Sequence, residues 1–182
     1  MYAPCHRDEM RHENESRFVV RSEPLQLLSY LWKMAMTVPK DFTPFEDTIP
    51  ALKELVDKGY SLGVISNLRR DMDQLCQRMG MAKYLDYCIS SEQAGSEKPH
   101  APIFLAALER SAVSPDEALH VGDQYRSDVL GARAVGMHTV LIDRGGWHLE
   151  VDDCPRISSL SDLAGLLDQA PASFETEGKT SD

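Results

Sequence analysis

The feature of this sequence that most constrains its fold is a regular alternation of two kinds of segment between residues 61 and 167. Short apolar runs with β-branched members are typical of buried strands, and apolar residues spaced by three or four are typical of helices. The predicted strands are 61–65, 87–90, 118–121 and 138–142, and the predicted helices are 70–79, 102–110, 127–135 and 161–167. This order predicts βαβ units and therefore a doubly wound α/β fold, with helices on both faces of a parallel sheet.

The segments that flank the alternation are predicted from the same signals. Apolar spacing from Pro24 to Met36 predicts a further helix. Thr48 is expected to cap a helix that ends at Gly59, and Ser161 is expected to cap the last helix. Residues 170–182 contain no aliphatic side chain larger than alanine, which predicts a disordered tail.

Composition excludes several classes of protein. The 182 residues carry 29 acidic and 19 basic side chains, and this net charge of −10 argues against a nucleic-acid partner. No apolar run approaches the roughly 20 residues of a membrane-spanning helix, and the charged N-terminus lacks the apolar core of an export signal. The cysteines (Cys5, Cys76, Cys88 and Cys154) show no metal-ligand spacing, which favours core thiols in a reducing, cytoplasmic protein.

Polar residues follow the predicted strands at the points where the strands end. Ser66 and Asn67 follow the first strand, Lys98 lies in the loop after the second, and Asp123 and Asp128 follow the third. Because chemistry in such sheets gathers at the carboxyl ends of the strands, we expect these side chains to lie close together. Carboxylates suit Mg²⁺, while hydroxyl, amide and ammonium groups suit phosphoryl oxygens. The sequence therefore predicts a combined metal and phosphate site.

Three short motifs at these strand ends resemble those of a known family. They are Val64-Ile65-Ser66-Asn67, Lys98-Pro99, and Gly122-Asp123 followed by Asp128. In this order they resemble the second, third and fourth motifs of the haloacid dehalogenase superfamily, over roughly residues 46–167. The resemblance implies a Rossmann-like core and a phosphatase-like hydrolase that acts with Mg²⁺ on a small phosphorylated metabolite.

The resemblance also implies a role for each motif residue. Ser66 and Asn67 would hydrogen-bond the phosphoryl group, and Lys98 would stabilise both the nucleophile and the transferring phosphate. Asp123 would bind Mg²⁺, directly or through water, and Asp128 would support the ion. Each residue also has an ordinary interpretation: Ser66 as a helix cap, Lys98 as a surface lysine, Asp128 as a charge at a helix start. His120 is interpreted as a strand residue and not as a ligand.

The first motif of the family, an apolar strand that ends in Asp-x-Asp, is not found before Ser66. The only Asp-x-Asp is Asp71-Met72-Asp73, which follows the Ser66 strand and places Met72 on the buried face of a helix. In the family the first strand lies between the strands that here end at Ile65 and Val121. Three alternatives would fill this gap: a longer reading frame, a strand supplied by another chain or a second copy, or the segment Arg17–Arg21.

These observations define the predicted domains and functions. Residues 1–45 are predicted to be a polar lead and the remnant of a helical cap, 46–169 an α/β core without its first strand, and 170–182 the tail. One hypothesis is a phosphoric-ester hydrolase by lineage, impaired because the nucleophilic Asp motif is absent. The alternative is a non-catalytic module that binds phosphate, metal or protein. A receiver-like signalling domain or a true dehalogenase would also need an early acidic residue that is missing.

Overall fold

The computed structural model describes residues 42–169. The described strands are β1 (Gly63–Ser66), β2 (Tyr87–Ser90), β3 (Leu119–Gly122), β4 (His138–Ile142) and β5 (Arg156–Ile157). The described helices are α1 (Thr48–Asp57), α2 (Met72–Arg78), α3 (Ser91–Ala94), α4 (Ala101–Ser111), α5 (Leu130–Arg133) and α6 (Leu163–Gln169). The predictions for 17–21, 24–36 and 170–182 lie outside the described residues.

Parallel pairing joins these strands into two sheets. β1 pairs with β2, so that Ser66 lies opposite Ser90. β3 pairs with β4, and β4 pairs with the short β5, which the sequence did not predict. With helices covering both faces, the α/β prediction is confirmed.

The two sheets are not joined by a strand ladder within residues 42–169. β1 and β3 therefore each have one described neighbour, and these are the two strands between which the family resemblance implies a further strand. All four residues of β3 are half-buried, whereas Thr139, Val140 and Leu141 of the adjacent β4 are fully buried. This lower burial of β3 is typical of a strand at a sheet edge.

Three apolar clusters hold the helices against the strands. On one face, Ile103, Phe104 and Ala107 of α4 pack against Ile65 of β1 and Ile89 of β2. On the opposite faces, α2 packs against β1 and β2, while α1 and α6 pack against β3, β4 and β5. Helix α4 packs against Ile89 of β2 and also against Ala132 of α5, the helix that follows β3. It therefore connects the β1–β2 side of the fold with the β3–β4 side.

The start of α1 differs from the prediction for a long-range reason. Thr48 is a buried residue inside the helix, and Asp47 stands at the cap position without making a side-chain cap bond. The Asp47 carboxylate instead accepts two hydrogen bonds from Arg144, at 2.7 and 3.0 Å, and one from the Ser159 hydroxyl at 2.6 Å. The capping prediction for Thr48 was wrong because Thr48 is already the first residue of the helix. The cap position belongs to Asp47, whose carboxylate binds Arg144 and Ser159.

A 3₁₀ segment at Leu160–Asp162 leads into the last helix, whose α-helical part begins at Leu163. The cap is Ser159, whose hydroxyl oxygen accepts the Ser161 N–H at 3.1 Å. The assignment of Ser161 as the cap was therefore wrong by two positions. None of the helices in residues 42–169 combines the length and apolar character needed to cross a bilayer.

Candidate active site at the carboxyl edge

Asn67 ties the end of β1 to the loop that carries Lys98. Its Oδ1 accepts the Lys98 backbone N–H at 2.7 Å, and its Nδ2 donates to the Lys98 carbonyl at 3.0 Å. The Ser91 hydroxyl donates to the Asn67 carbonyl at 3.2 Å, which adds the start of α3 to the same arrangement. The Asn67 amide thus works as a clamp on the lysine backbone, while its predicted contact with a phosphoryl group stays a prediction.

Ser66 lies half-buried at the end of β1, next to this clamp. Its oxygen accepts the Leu68 N–H at 3.2 Å in a short turn. It does not cap the following helix, because the cap of α2 is Asp71, which accepts the Gln74 N–H at 2.9 Å. The ordinary interpretation of Ser66 as a helix cap is therefore wrong, and its hydroxyl proton is not donated to any described residue.

Lys98 and Asp128 form the central ion pair of the site. The Lys98 Nζ lies 2.6 Å from Asp128 Oδ1, and the two side chains are 14% and 3% exposed. Burial by itself would raise the pKa of Asp128, but hydrogen bonds from His120 and Lys98 and the lysine charge hold that pKa well below its usual range. Asp128 is therefore an ionised, buried carboxylate, and the surface interpretation of Lys98 is wrong.

The second oxygen of Asp128 fixes the loop after β3. Oδ2 accepts the Gln124 N–H at 2.9 Å, and the Asp128 N–H donates to the Gln124 carbonyl at 2.7 Å. A π-helical turn over Tyr125–Val129 presents Asp128 to this loop. A Cβ built on Gly122 would lie 2.2 Å from the Asp128 Cγ, so the carboxylate packs directly on the strand end. The Asp128 side chain therefore leaves no room for a Cβ at position 122, which explains the glycine in the Gly-Asp-x-x-x-x-Asp motif.

His120 belongs to this site, although the sequence interpretation gave it no role. Its Nε2 lies 3.0 Å from Asp128 Oδ1, and its ring meets the Phe104 ring edge-on at a centroid distance of 5.3 Å. Leu119 and Val121, the strand neighbours of His120, pack on the opposite face. The sequence feature that could have indicated this role is a histidine in an otherwise apolar strand, two residues before Gly122-Asp123.

Asp123 directly follows β3 at this edge. It is exposed, and it makes no hydrogen bond or ion pair with any residue in 42–169. No group of three or more His, Cys, Asp or Glu side chains in that range could hold a metal ion. Since Mg²⁺ commonly keeps several waters and uses one or two carboxylates, the single Asp123 carboxylate fits such an ion. Both oxygens of Asp128 already accept hydrogen bonds, and its place as a metal ligand stays a prediction.

The Asp71-Met72-Asp73 segment has the helical structure that the sequence predicts. Asp71 is the N-cap of α2, and Met72 is 4% exposed in the cluster beneath that helix. A cavity of about 390 Å³ lies elsewhere, near the ends of β4 and β5, and none of the predicted site residues lines it. We therefore place the candidate site at the contacts among Asn67, Lys98 and Asp128.

Comparisons with known proteins add family information to this geometry. Residues 9–142 match the family described as haloacid dehalogenase-like hydrolase. The human haloacid dehalogenase-like hydrolase domain-containing protein 3 is 39% identical over 138 residues, which are 74% of this chain and 52% of that protein. A glyceraldehyde 3-phosphate phosphatase of Methanopyrus kandleri is 39% identical over 103 residues, 56% of this chain and 44% of that protein.

The same relationship is found among solved structures. A HAD phosphatase from Thermococcus onnurineus superposes with a TM-score of 0.64 at 35% identity, covering 68% of this chain and 57% of that one. The chain spans about half the length of the curated relatives it matches.

Proposed function

The chain belongs to the haloacid dehalogenase-like hydrolase family, and we propose that its described residues form the phosphate-binding part of a Mg²⁺-dependent site for phosphoric esters. One observation carries this proposal. Contacts run without interruption from Asn67 to Lys98, from Lys98 to Asp128, and from Asp128 to the loop that bears Asp123. These contacts bring the Lys98 ammonium, the Asp128 carboxylate and the Asp123 loop together at the sheet edge where Ser66 ends β1. Such a combination suits phosphoryl chemistry.

Lys98 is the residue that would bind the phosphoryl group. Its ammonium is held at 2.6 Å from a carboxylate and its side chain is 14% exposed, so it is largely desolvated and fixed before a ligand arrives. A positive charge in such a site interacts more strongly with an anion than one in bulk water. The hydroxyl of Ser66, at the end of β1, would supply a second donor.

Asp123 is the residue that would hold Mg²⁺. The ion would neutralise charge on the phosphoryl oxygens and orient them. The role of Asp128 is to hold Lys98 and the Asp123 loop at fixed positions relative to each other. Its Oδ1 binds the Lys98 ammonium, and its Oδ2 accepts the N–H of Gln124, which lies in that loop.

The proposed substrate is a small phosphorylated metabolite, and its identity is left open. The family assignment and the relatives named as phosphatases support this class. The ordered lysine and hydroxyl recognise a phosphate group but would not by themselves distinguish one metabolite from another.

The nucleophile is the part of the reaction that the described residues do not supply. Asp71 caps α2 and Met72 is buried, so this Asp-x-Asp does not take that role. We propose that residues 42–169 alone bind phosphate without hydrolysing it, and that an added strand between β1 and β3 would bring the carboxylate. A second copy of the chain or another chain is a proposed source of this strand.

A second candidate function is a non-catalytic phosphate- or metal-binding module. The observation that favours it is that the only Asp-x-Asp segment within residues 42–169, Asp71-Met72-Asp73, forms the cap and first turn of α2. In this case the ion pair would serve ligand binding alone.

Two measurements on the purified chain test these proposals. Titration calorimetry with inorganic phosphate, with and without Mg²⁺, should show binding that Lys98→Met abolishes and that Lys53→Met, at an exposed lysine of α1, preserves. Hydrolysis of p-nitrophenyl phosphate is followed in parallel, with Asp123→Asn as the variant that should lose any Mg²⁺-dependent turnover. Turnover that depends on Asp123 supports the enzyme. Binding without turnover is the result expected both for the module and for an enzyme site that lacks its added strand, and no phosphate binding overturns both proposals.

A further inference from the structure

One oxygen of Asp128 serves two donors. Its Oδ1 lies 2.6 Å from Lys98 Nζ and 3.0 Å from His120 Nε2, whereas Oδ2 accepts the Gln124 N–H at 2.9 Å. All three side chains are removed from solvent, at 14% exposed for Lys98, 11% for His120 and 3% for Asp128. Water therefore cannot easily replace either donor if one is removed.

The His120 ring is held so that its Nε2 faces this oxygen. The ring meets Phe104 edge-on at an interplanar angle of 90°, and Phe104 is a fully buried residue of α4. An ionised carboxylate only accepts hydrogen bonds, so the contact requires the tautomer or charge form in which Nε2 carries a proton. His120 is thus a fixed donor to Asp128.

From this arrangement we propose that His120 is a positioning residue for Lys98. By donating to Oδ1 of Asp128, it shares the charge of that oxygen with the lysine, so the ammonium is kept in place without being fully neutralised. Without His120, Lys98 becomes the only side-chain donor to Oδ1 among the described residues, and Asp128 holds it more strongly because the charge of that oxygen is no longer shared. Its ammonium is then less able to turn toward a phosphoryl group. The effect on phosphate rests on the proposed function, but the coupling between His120 and Lys98 does not.

The first test compares two substitutions of His120. His120→Gln keeps an N–H donor near the position of Nε2, and His120→Phe keeps a ring but removes the donor. Titration calorimetry with inorganic phosphate should show about five- to tenfold weaker binding for the Phe variant and less than about twofold for the Gln variant. If the Gln variant binds phosphate nearly as well as the wild type and the Phe variant does not, the hydrogen bond donated by His120 matters and not merely the volume of its ring. Equal losses of binding in both variants would overturn the proposal.

The second test needs no ligand. Urea unfolding of His120→Phe, of Lys98→Met and of the double variant gives three ratios of unfolding constants relative to the wild type. If both side chains act on one oxygen, the double-variant ratio should depart from the product of the single ratios by at least about twofold. A smaller departure contradicts the proposal, even if phosphate binds. If the wild type does not bind phosphate, the proposed function fails and this coupling alone decides whether His120 positions Lys98.

A third substitution protects both tests against a folding failure. If His120→Phe does not fold, His120→Asn replaces it, because its amide donor is too short to reach Oδ1. The Asn variant should then weaken phosphate binding and couple to Lys98→Met as stated for Phe. An Asn variant that behaves like Gln in both measurements would overturn the proposal.

Discussion

The ammonium of Lys98 lies 2.6 Å from Oδ1 of Asp128, although the two residues stand 30 positions apart in the chain. The loop after β2 thereby meets the helical turn after β3. Burial makes this pair costly to break, because a lone charge at such a position would remain without water. The pair therefore serves both the stability of the fold and the proposed binding of phosphate.

We expect Asp128→Asn to lower the free energy of unfolding by about 2–3 kcal/mol. The amide keeps the size of the side chain but leaves Lys98 without its counter-charge. Asp123→Asn is the matched control, since Asp123 lies on the same loop, is exposed and has no described partner. It should change the unfolding free energy by less than about 0.5 kcal/mol. Urea denaturation measures both, and equal effects would show that the ion pair contributes nothing.

The acid side of the stability profile should depend on Asp47 and Asp128. Hydrogen bonds from Arg144 hold the pKa of Asp47 below its usual range; burial opposes this, and Ser159 and Leu160 add to the lowering. The pKa of Asp128 is lowered in the same direction. A carboxyl with a lower pKa in the folded state stabilises the protein above its unfolded pKa of about 4, and this stability is lost as the pH falls.

The measurement is urea denaturation at several pH values between 7 and 2. The wild type should lose stability steadily below about pH 4, and the double variant Asp47→Asn/Asp128→Asn should start lower and show a shallower slope. Parallel slopes in the two proteins would contradict this prediction.

Two glycine-to-alanine substitutions should have opposite effects. Gly122→Ala places a methyl group 2.2 Å from the Asp128 Cγ, so the site must distort and the unfolding free energy should fall by about 1–3 kcal/mol. Gly165→Ala lies within α6, where a Cβ meets nothing within 4 Å, and should stabilise the protein by about 0.5–1 kcal/mol. Thermal or urea unfolding checks both signs. A neutral Gly122→Ala would mean that Asp128 does not pack against the strand end.

Arg144→Lys should lower the unfolding free energy by about 1–2 kcal/mol. The guanidinium bonds both oxygens of Asp47 and lies over the Phe45 ring at 4.1 Å, and an ammonium cannot make both contacts. Arg78→Lys, at an exposed position of α2, serves as the control and should change stability by less than about 0.5 kcal/mol. Urea denaturation of the two variants measures both changes. Equal losses of stability would contradict the prediction, because the effect would then not depend on the two hydrogen bonds from Arg144 to Asp47.

Local pattern predicted most of the elements in residues 42–169. The strands at 87–90 and 138–142 were placed at their observed bounds, because a short apolar run between turn residues has few alternatives. β5 was missed because two residues carry no period. The Thr48 and Ser161 caps were misplaced because a polar residue near a helix start can belong to any of several positions, and only packing selects among them.

The sequence by itself determined the parallel α/β architecture and the edge at which Ser66, Lys98 and Asp123 stand, because both follow from the local order of strands, helices and motifs. Tertiary structure alone decided that Lys98 is buried against Asp128, that His120 shares the same oxygen, and that the Asp47 carboxylate binds Arg144, 97 positions away. Those partners lie between 8 and 97 positions apart along the chain, and their hydrogen bonds depend on how the helices and strands pack, which no local pattern records.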